Sequence, residues 1–351
     1  MWQLRADDVP ALAAGAALLG GGGGGSTRAA ALLAGRALRV AGPLDVIDVA
    51  EMRPSAHAAP LGLVGSVTVF EEKPPSGAEV QHAVTAMERY TGVKLDTVLP
   101  FEAAGVNALL AVTAAAALRL PLVDADGMGR AFPQLDQTVF TLHGLPVSPM
   151  VLADDKGSLA ILDGVDGFLG ERLARSAVVT MGGWALLLLA PQLAADLARC
   201  SITGTMRRAL QLGEVLLRND LSAILSAHGG RLLFQGRVVE VERGPRGRFG
   251  GGCAVLRHLA DRDRLLRLEF QNENMLAMED GEVRACVPDI IGLLEAGRCV
   301  PVTSEELRYG LELDVVALPC ASAWRTPTGL GLAGPRAFGY NVAYTIPKAG
   351  P

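Results

Sequence analysis

Four carboxylates at the ends of apolar runs carry the strongest chemical signal in this 351-residue chain. Glu72 closes the run GSVTVFEE and Glu102 follows TVLPF. Asp124 and Asp126 follow PLV in the segment Asp124-Ala125-Asp126-Gly127-Met128-Gly129-Arg130. Ligands of open α/β sheets gather at the carboxyl ends of strands. Carboxylates placed there can act as general base, general acid or metal ligands, and two held close together have split pKa values, so one can donate a proton while the other accepts one. Alternation aims Asp124 and Asp126 to one side if the chain stays extended, and Arg130 can neutralise the pair or bind a substrate. Each reading has a structural alternative: solvated loop charges at Glu71–Lys73, and an Asp–Arg turn at Asp124–Arg130. The segment is not an EF-hand, because the third ligand and the spaced Glu are absent.

The glycine run Gly20–Gly25 is the second signal. Glycines let a backbone approach a ligand closely and turn N–H groups inward, and a helix beginning at Ser26 or Thr27 adds positive potential. Gly22, Gly23, Gly24 and Ser26 are therefore candidate substrate-binding residues, with a plain helix–helix connection as the alternative. A nucleotide site fits less well. Gly25 stands where a Walker A loop needs Lys, and the residues before the run look helical, whereas a Rossmann turn follows a strand. Asn107, after the Gly105 turn, can bind a ligand carbonyl or cap its helix. Glu273, in the polar run Gln271-Asn272-Glu273-Asn274, can project into an interdomain cleft, and Pro288-Asp289 can do the same or form a turn. The five histidines show no HxH or HExxH spacing, so a dedicated zinc site is unsupported, and there is no GxSxG elbow. A divalent metal remains possible, with Glu72, Glu102, Asp124 and Asp126 as its candidate ligands.

These residues need a scaffold, and the chain is long enough for two domains. Hydrophobic residues make up 50% and charged residues 20%, which supports a sizeable core and excludes disorder of the whole chain. The net charge of −5 argues against general nucleic-acid binding. The first 165 residues hold 17 acidic and 11 basic side chains, which points to this part as the source of catalytic carboxylates. Five cysteines, an odd number without CxxC, fit a reduced cytoplasmic compartment, and the N-terminus lacks a signal-peptide pattern. Ser176–Ala195 is uncharged, but Gly182-Gly183 and Pro191 interrupt it, so a buried strand followed by a helix is favoured over a membrane span.

In residues 1–168 short apolar runs alternate with helical patterns, as expected of a three-layer α/β sandwich with a mostly parallel sheet. The helices of 169–227 are expected to pack against it. Residues 228–351 read as a β-rich, barrel-like domain, with an arginine- and glycine-rich hairpin turn at Arg243–Gly252.

The stretches GAALLGGGGGGSTR, GSVTVFEEK, FEAAGVNAL, LPLVDADGMGRAFPQL, ADDKGS, FQNENMLA, VPDIIGLLE, YGLELDVVALP and GPRAFGYNVAY together resemble the family named after S-methyl thiohydantoin desulfurase. They run in family order over nearly the whole chain. Two positions depart from the family pattern: Ala104 stands where a second glycine is expected, and Gly65-Ser66-Val67 replaces Gly-Ala-Pro. The resemblance implies an N-terminal α/β sandwich and a C-terminal β-rich domain. It also implies a cyclic amide or imide substrate and association with hydantoinase/oxoprolinase-type proteins. A cytoplasmic homo-oligomer is expected, with no nucleic-acid or membrane partner. The implied activity is desulfuration or hydrolysis of a thiohydantoin ring by carboxylate- or metal-activated water. Glu72, Glu102, Asp124 and Asp126 would supply base, acid or metal ligands, while the glycine loop, Asn107, Arg130 and Glu273 would hold the ring. The rival is a non-catalytic binding or assembly subunit beside a hydantoinase.

Overall fold

The computed structural model describes residues 1–244 and 251–347. The turn expected over Arg243–Gly252 therefore falls mostly outside the described residues. The chain begins with β1 (Trp2–Leu4) and helix α1 (Val9–Leu19), which runs into the glycine loop. Next come α2 (Arg28–Ala41), β2 (Leu44–Ile47), β3 (His57–Gly65), α3 (Val67–Glu72) and α4 (Glu79–Thr91). They are followed by β4 (Thr97–Pro100), α5 (Gly105–Leu118), β5 (Leu122–Val123) and the two-residue β6 (Ala125–Asp126). After α6 (Val139–Leu142) the hairpin β7 (Met150–Ala153)–β8 (Leu159–Leu162) leads to α7 (Gly167–Thr180), β9 (Trp184–Leu188) and β10 (Gln192–Leu193).

Among the described residues the first sheet has nine strands in the order β1-β2-β5-β4-β3-β9-β7-β8, with β10 paired to β3. The three-layer architecture is as expected. Hydrophobic clusters lie on both sides of the sheet, and alternation along β9 sends Leu186 and Leu188 to one and Ala185 and Leu187 to the other. The expected mostly parallel order holds only in the half that carries the candidate residues, where β2–β5, β5–β4 and β4–β3 are parallel. The other half is antiparallel, because β9 runs against both β3 and β7 and is their sole link in the sheet. All five residues of WALLL in β9 are buried, as befits a central strand covered on both faces. No helix among the described residues is long and apolar enough to cross a membrane.

α8 (Ala194–Cys200), β11 (Ile202–Thr203), α9 (Thr205–Leu217) and α10 (Leu221–Ala227) connect to the second sheet. Its strands are β12 (Arg231–Arg243), β13 (Gly251–His258), β14 (Leu265–Gln271), β15 (Glu273–Glu279), β16 (Glu282–Cys286), β17 (Ile290–Glu295) and β18 (Glu312–Leu318). They form one antiparallel sheet, ordered β16-β15-β14-β13-β12-β18-β17, which curls into a half-barrel around its own apolar core. A C-terminal arm carrying α11 (Pro327–Ala333) then returns to the first domain, where Trp324 and Phe338 enter the core on one side of the first sheet.

The domains meet through α1. On one side it packs against α9 with almost no separation: a Cβ on Gly15 would lie 1.7 Å from the Ala209 carbonyl oxygen, and one on Gly213 1.6 Å from that of Ala11. On the other side, the missing side chain of Gly292 on β17 leaves room for Leu18. Overpacking such a seam forces backbone shifts that cost about 1–3 kcal/mol. Gly15→Ala and Gly213→Ala should therefore each lower the urea-unfolding free energy by about that amount. Gly331→Ala, whose Cβ would meet nothing within 4 Å, should be neutral or stabilising by about 0.5–1 kcal/mol, since alanine favours helix over glycine.

Candidate functional site

Parallel pairing of β4 with β5 brings the chain out of both strands at the same sheet edge. Residues 101–107 and 124–130 therefore emerge side by side, with Gly65–Val67 at the end of β3, parallel to β4. The glycine loop closes over this edge. Its main-chain carbonyls reach three separate segments: Gly21 accepts from the Asn274 N–H at 2.6 Å, Gly22 from Ser304 at 2.8 Å, and Gly24 from Val106 at 2.9 Å. Gly21 and Gly22 have φ of +56° and +91°, values that glycine adopts without strain. The polar run before β15 joins the cluster because Asn272, with φ of +64°, makes the tight β14–β15 turn.

Three successive glycines face three buried polar side chains. A Cβ on Gly21 would lie 3.2 Å from Arg130 Nη2, one on Gly22 2.6 Å from Asn274 Nδ2, and one on Gly23 2.2 Å from Glu273 Oε1. The loop is thus shaped by the site as much as it shapes it. Arg130 is fully buried. Its Nε donates to the Ala131 carbonyl at 2.9 Å, and its Nη1 to those of Asp289 at 2.6 Å and Pro288 at 3.1 Å. The guanidinium lies over the Phe132 ring, 4.8 Å from its centroid. Asn107 is pinned at both ends, with Oδ1 accepting from the Leu63 N–H at 2.6 Å and Nδ2 donating to Glu102 Oε1 at 2.8 Å. Asn274 Nδ2 donates to the Ile291 carbonyl at 2.9 Å. Of the ten buried side-chain atoms left without a hydrogen-bond partner among the described residues, four fall in this cluster: Glu102 Oε2, Glu273 Oε2, Asn274 Oδ1 and Arg130 Nη2. Buried polar groups are normally paired, so four orphans in one cluster call for a ligand or ordered water.

Burial sets the electrostatics. The Glu102 carboxyl is raised well above the usual range by desolvation and then by the negative charge of Glu273, against hydrogen bonding from Asn107. Glu273 is pushed up to about 7 by burial, opposed first by the charge of Arg130 and also by that of Arg175. A cleft of about 410 Å³ is lined by Gly22–Gly25, Val67, Arg175, Asn272 and Ser304; Glu102, Asn107, Arg130, Glu273 and Asn274 do not line it and lie buried behind the glycine loop.

The structure brings together Glu102, Asn107, Arg130, Glu273, Gly22, Gly23 and Gly24. It places the other candidates elsewhere or engages them otherwise. Glu72 is not at a strand end: Ser66 Oγ accepts from the Val69 N–H, so the chain turns into α3 directly after β3 and leaves Glu72 exposed at the end of that helix. Asp124 shares the sheet edge with Glu102, but its carboxylate serves the N-terminus of α9, accepting from the N–H groups of Met206 at 2.9 Å and Arg207 at 3.1 Å. Trp2 Nε1 adds a third donor at 3.2 Å. Asp126 spends both oxygens on the turn, Oδ2 accepting from the Ala103 N–H at 2.6 Å and Oδ1 from Met128 and Gly129 at 3.0 and 2.7 Å. Burial pushes its carboxyl up to about 7 against those donors. Ser26 is engaged by the start of α2, its Oγ accepting from the Arg28 N–H at 3.5 Å. Among the described residues no three His, Cys, Asp or Glu side chains group to hold a metal ion, so the four proposed ligands do not fit one. Asn274 and Arg175 were missed. Asn274 sits in the polar run singled out at residues 271–274, whereas Arg175 on the amphipathic α7 gives no local signal.

Family models match both parts of the chain: S-Me-THD-like, N-terminal domain, over residues 7–164, and S-Me-THD-like, C-terminal domain, over residues 166–346. No curated protein matches significantly. A crystal structure of a protein from Chromobacterium violaceum is similar at 24% identity, covering 98% of this chain and 99% of that one, with a TM-score of 0.85. That likeness concerns the fold alone.

Two measurements check this geometry. Asp124→Asn removes the charge from an α9 cap and should lower unfolding free energy by about 0.5–2 kcal/mol. The pH dependence should be inverted relative to a salt-bridged carboxylate. Glu273 and Asp126 titrate near 7 in the fold, against about 4 when unfolded. The native state therefore holds protons that the unfolded chain has released, and stability should fall as pH rises from about 4 to about 7. Urea unfolding at pH 5 and pH 8 should show this loss, and Glu273→Gln should reduce it.

Proposed function

The chain belongs to the S-Me-THD-like family over both of its domains, and from that premise we propose that it replaces the exocyclic sulfur substituent of a thiohydantoin-type ring with oxygen from water. The supporting observation is the set of unpartnered buried atoms. Glu273 Oε2 and Asn274 Oδ1 are free to accept, and Arg130 Nη2 and the protonated Glu102 Oε2 are free to donate. A five-membered cyclic amide offers the complementary edge, with N–H to donate and a carbonyl and ring nitrogen to accept, and the cleft lies across Gly22 and Gly23 from these atoms.

The two carboxyls divide the proton work. Glu102, held neutral by burial, is the acid. Glu273, poised near 7 beside Arg130, is the base. With an S-methylated ring, water oxygen bonds to the carbon that carries sulfur. Glu273 takes one water proton, and Glu102 gives its own to the ring nitrogen. The C–S bond then breaks as the carbonyl forms. The remaining O–H proton restores Glu102, and the proton held by Glu273 leaves with methanethiol. The ring departs as a hydantoin. Asp126 positions rather than reacts, because its three N–H bonds fix the turn that carries Arg130 and tie it to Ala103, next to Glu102.

The test is release of methanethiol from an S-methyl thiohydantoin, followed with a thiol reagent. Glu102→Gln and Glu273→Gln should each fold and lower kcat by about 10²–10⁴, the usual loss for a positioned acid or base. Glu72→Gln should leave turnover unchanged. Ring binding without turnover in the unaltered protein would defeat the reading and favour the non-catalytic subunit.

A further inference from the structure

Asp289 lies outside the reacting cluster, is fully buried, and takes all its carboxylate partners from the final 32 residues of the chain. Oδ1 accepts from the Cys320 N–H at 2.8 Å and from Arg325 Nη2 at 3.0 Å, and Oδ2 from the Tyr344 hydroxyl at 2.9 Å. The main-chain side of the same residue faces the site. The Asp289 and Pro288 carbonyls are the two acceptors of Arg130 Nη1. Arg130 has a third fixed bond, Nε to the carbonyl of its own neighbour Ala131, and its remaining Nη2 has no protein partner. A planar guanidinium held at Nε and Nη1 can point Nη2 in one direction only. Here that direction is toward Gly21.

The arm supports Arg130 by a second route. Phe132, under the guanidinium, meets Trp324 edge-on with centroids 5.1 Å apart and stacks on Phe338 at 6.5 Å. Trp324 Nε1 also donates to the Met128 carbonyl at 2.8 Å, two residues before Arg130. Both routes originate in one C-terminal segment, which also ties down the 286–289 turn.

We propose that Arg325 and Tyr344 on the C-terminal arm are positioning residues for Arg130, acting through Asp289 to aim its free Nη2 at the glycine loop. This deepens the reading of the pocket given above and depends on it only for the consequence in turnover. Loosening the Asp289 turn releases the two carbonyls that orient Arg130, and the guanidinium charge then stands less squarely beside Glu273. The titratable groups acting on Glu273 are Arg130, Arg175 and Glu102. Those acting on Arg130 include Glu273, Asp289, Cys320 and Glu102. Because an adjacent cation favours the charged carboxylate, a displaced Arg130 raises the Glu273 titration midpoint.

The experiment reads that midpoint by carbon NMR of 13C-carboxyl-labelled glutamate in the full chain, with Glu273→Gln identifying the signal. Tyr344→Phe keeps the ring and removes one hydrogen bond. Arg325→Gln removes the cation. Both should raise the midpoint, by roughly 0.5–1 unit, part of the 1–3 units a close opposite charge supplies. Leu266→Ala, which opens a cavity in the half-barrel core at the end of β14 away from Glu273, should leave it in place and so separates positioning from general destabilisation. An unchanged midpoint in folded Tyr344→Phe overturns the proposal, whatever Arg325→Gln does. A raised midpoint in a protein that turns over no thiohydantoin leaves the relay standing and removes the proposed reaction. Where turnover is present, the acid limb of kcat/KM should move with the midpoint.

Discussion

Three main-chain carbonyls of the glycine loop hold the two domains in register. That of Gly21 binds β15 of the curled sheet, that of Gly22 the Ser304 turn between β17 and β18, and that of Gly24 the start of α5. The constraint is volume rather than flexibility. Arg130, Asn274 and Glu273 occupy the space where Cβ atoms would stand on Gly21, Gly22 and Gly23, so backbone and charged side chains touch directly. A loop with side chains could not bring carbonyls and carboxylates from both sheets into one enclosed volume. The two domains therefore build a single buried polar cluster, and neither sheet holds a complete set of its groups.

In and around that cluster, carboxyl groups of similar intrinsic acidity have been given separate work by their neighbours. Asp124 meets helix N–H groups and a tryptophan, which anchors α9. Asp126 meets three turn amides and locks the turn between β5 and Arg130. Glu102 and Glu273 each keep one buried oxygen unpartnered. An unsatisfied buried acceptor costs about 1–3 kcal/mol. Two of them beside an unpartnered arginine nitrogen give this cluster its demand for a ligand or ordered water.

Much of this was legible in the residues. Apolar runs ending in Glu102 and Asp124 located the sheet edge, the glycine run marked a close approach, and the polar run at 271–274 marked the contribution of the second domain. What could not be read locally depended on distant partners. Nothing near Asp124 announces that α9, about 80 residues later, needs its carboxylate. Glu72 continues a strand-like pattern until Ser66 caps a helix, one hydrogen bond that turns the carboxylate toward water. The mixed order of the first sheet escaped for a related reason. β9 is apolar on both faces, which fits a parallel or an antiparallel neighbour equally well, and only the tertiary arrangement sets its direction.

The position of β9 bears on how the chain is made. The first family model ends at residue 164 and the second begins at 166, yet β9, at residues 184–188, lies between β3 and β7 in the first sheet. A ribosome that has released only the first matched segment exposes a β7–β8 hairpin with no strand joining it to the rest, and β3 with an open edge. Unpaired edges of this kind are templates for pairing with other chains. About 24 further residues must leave the exit tunnel before the sheet can close. A mistimed pause in that interval would strand an adhesive intermediate, so the two matched segments, although separable as sequence, are inseparable as a unit of biosynthesis.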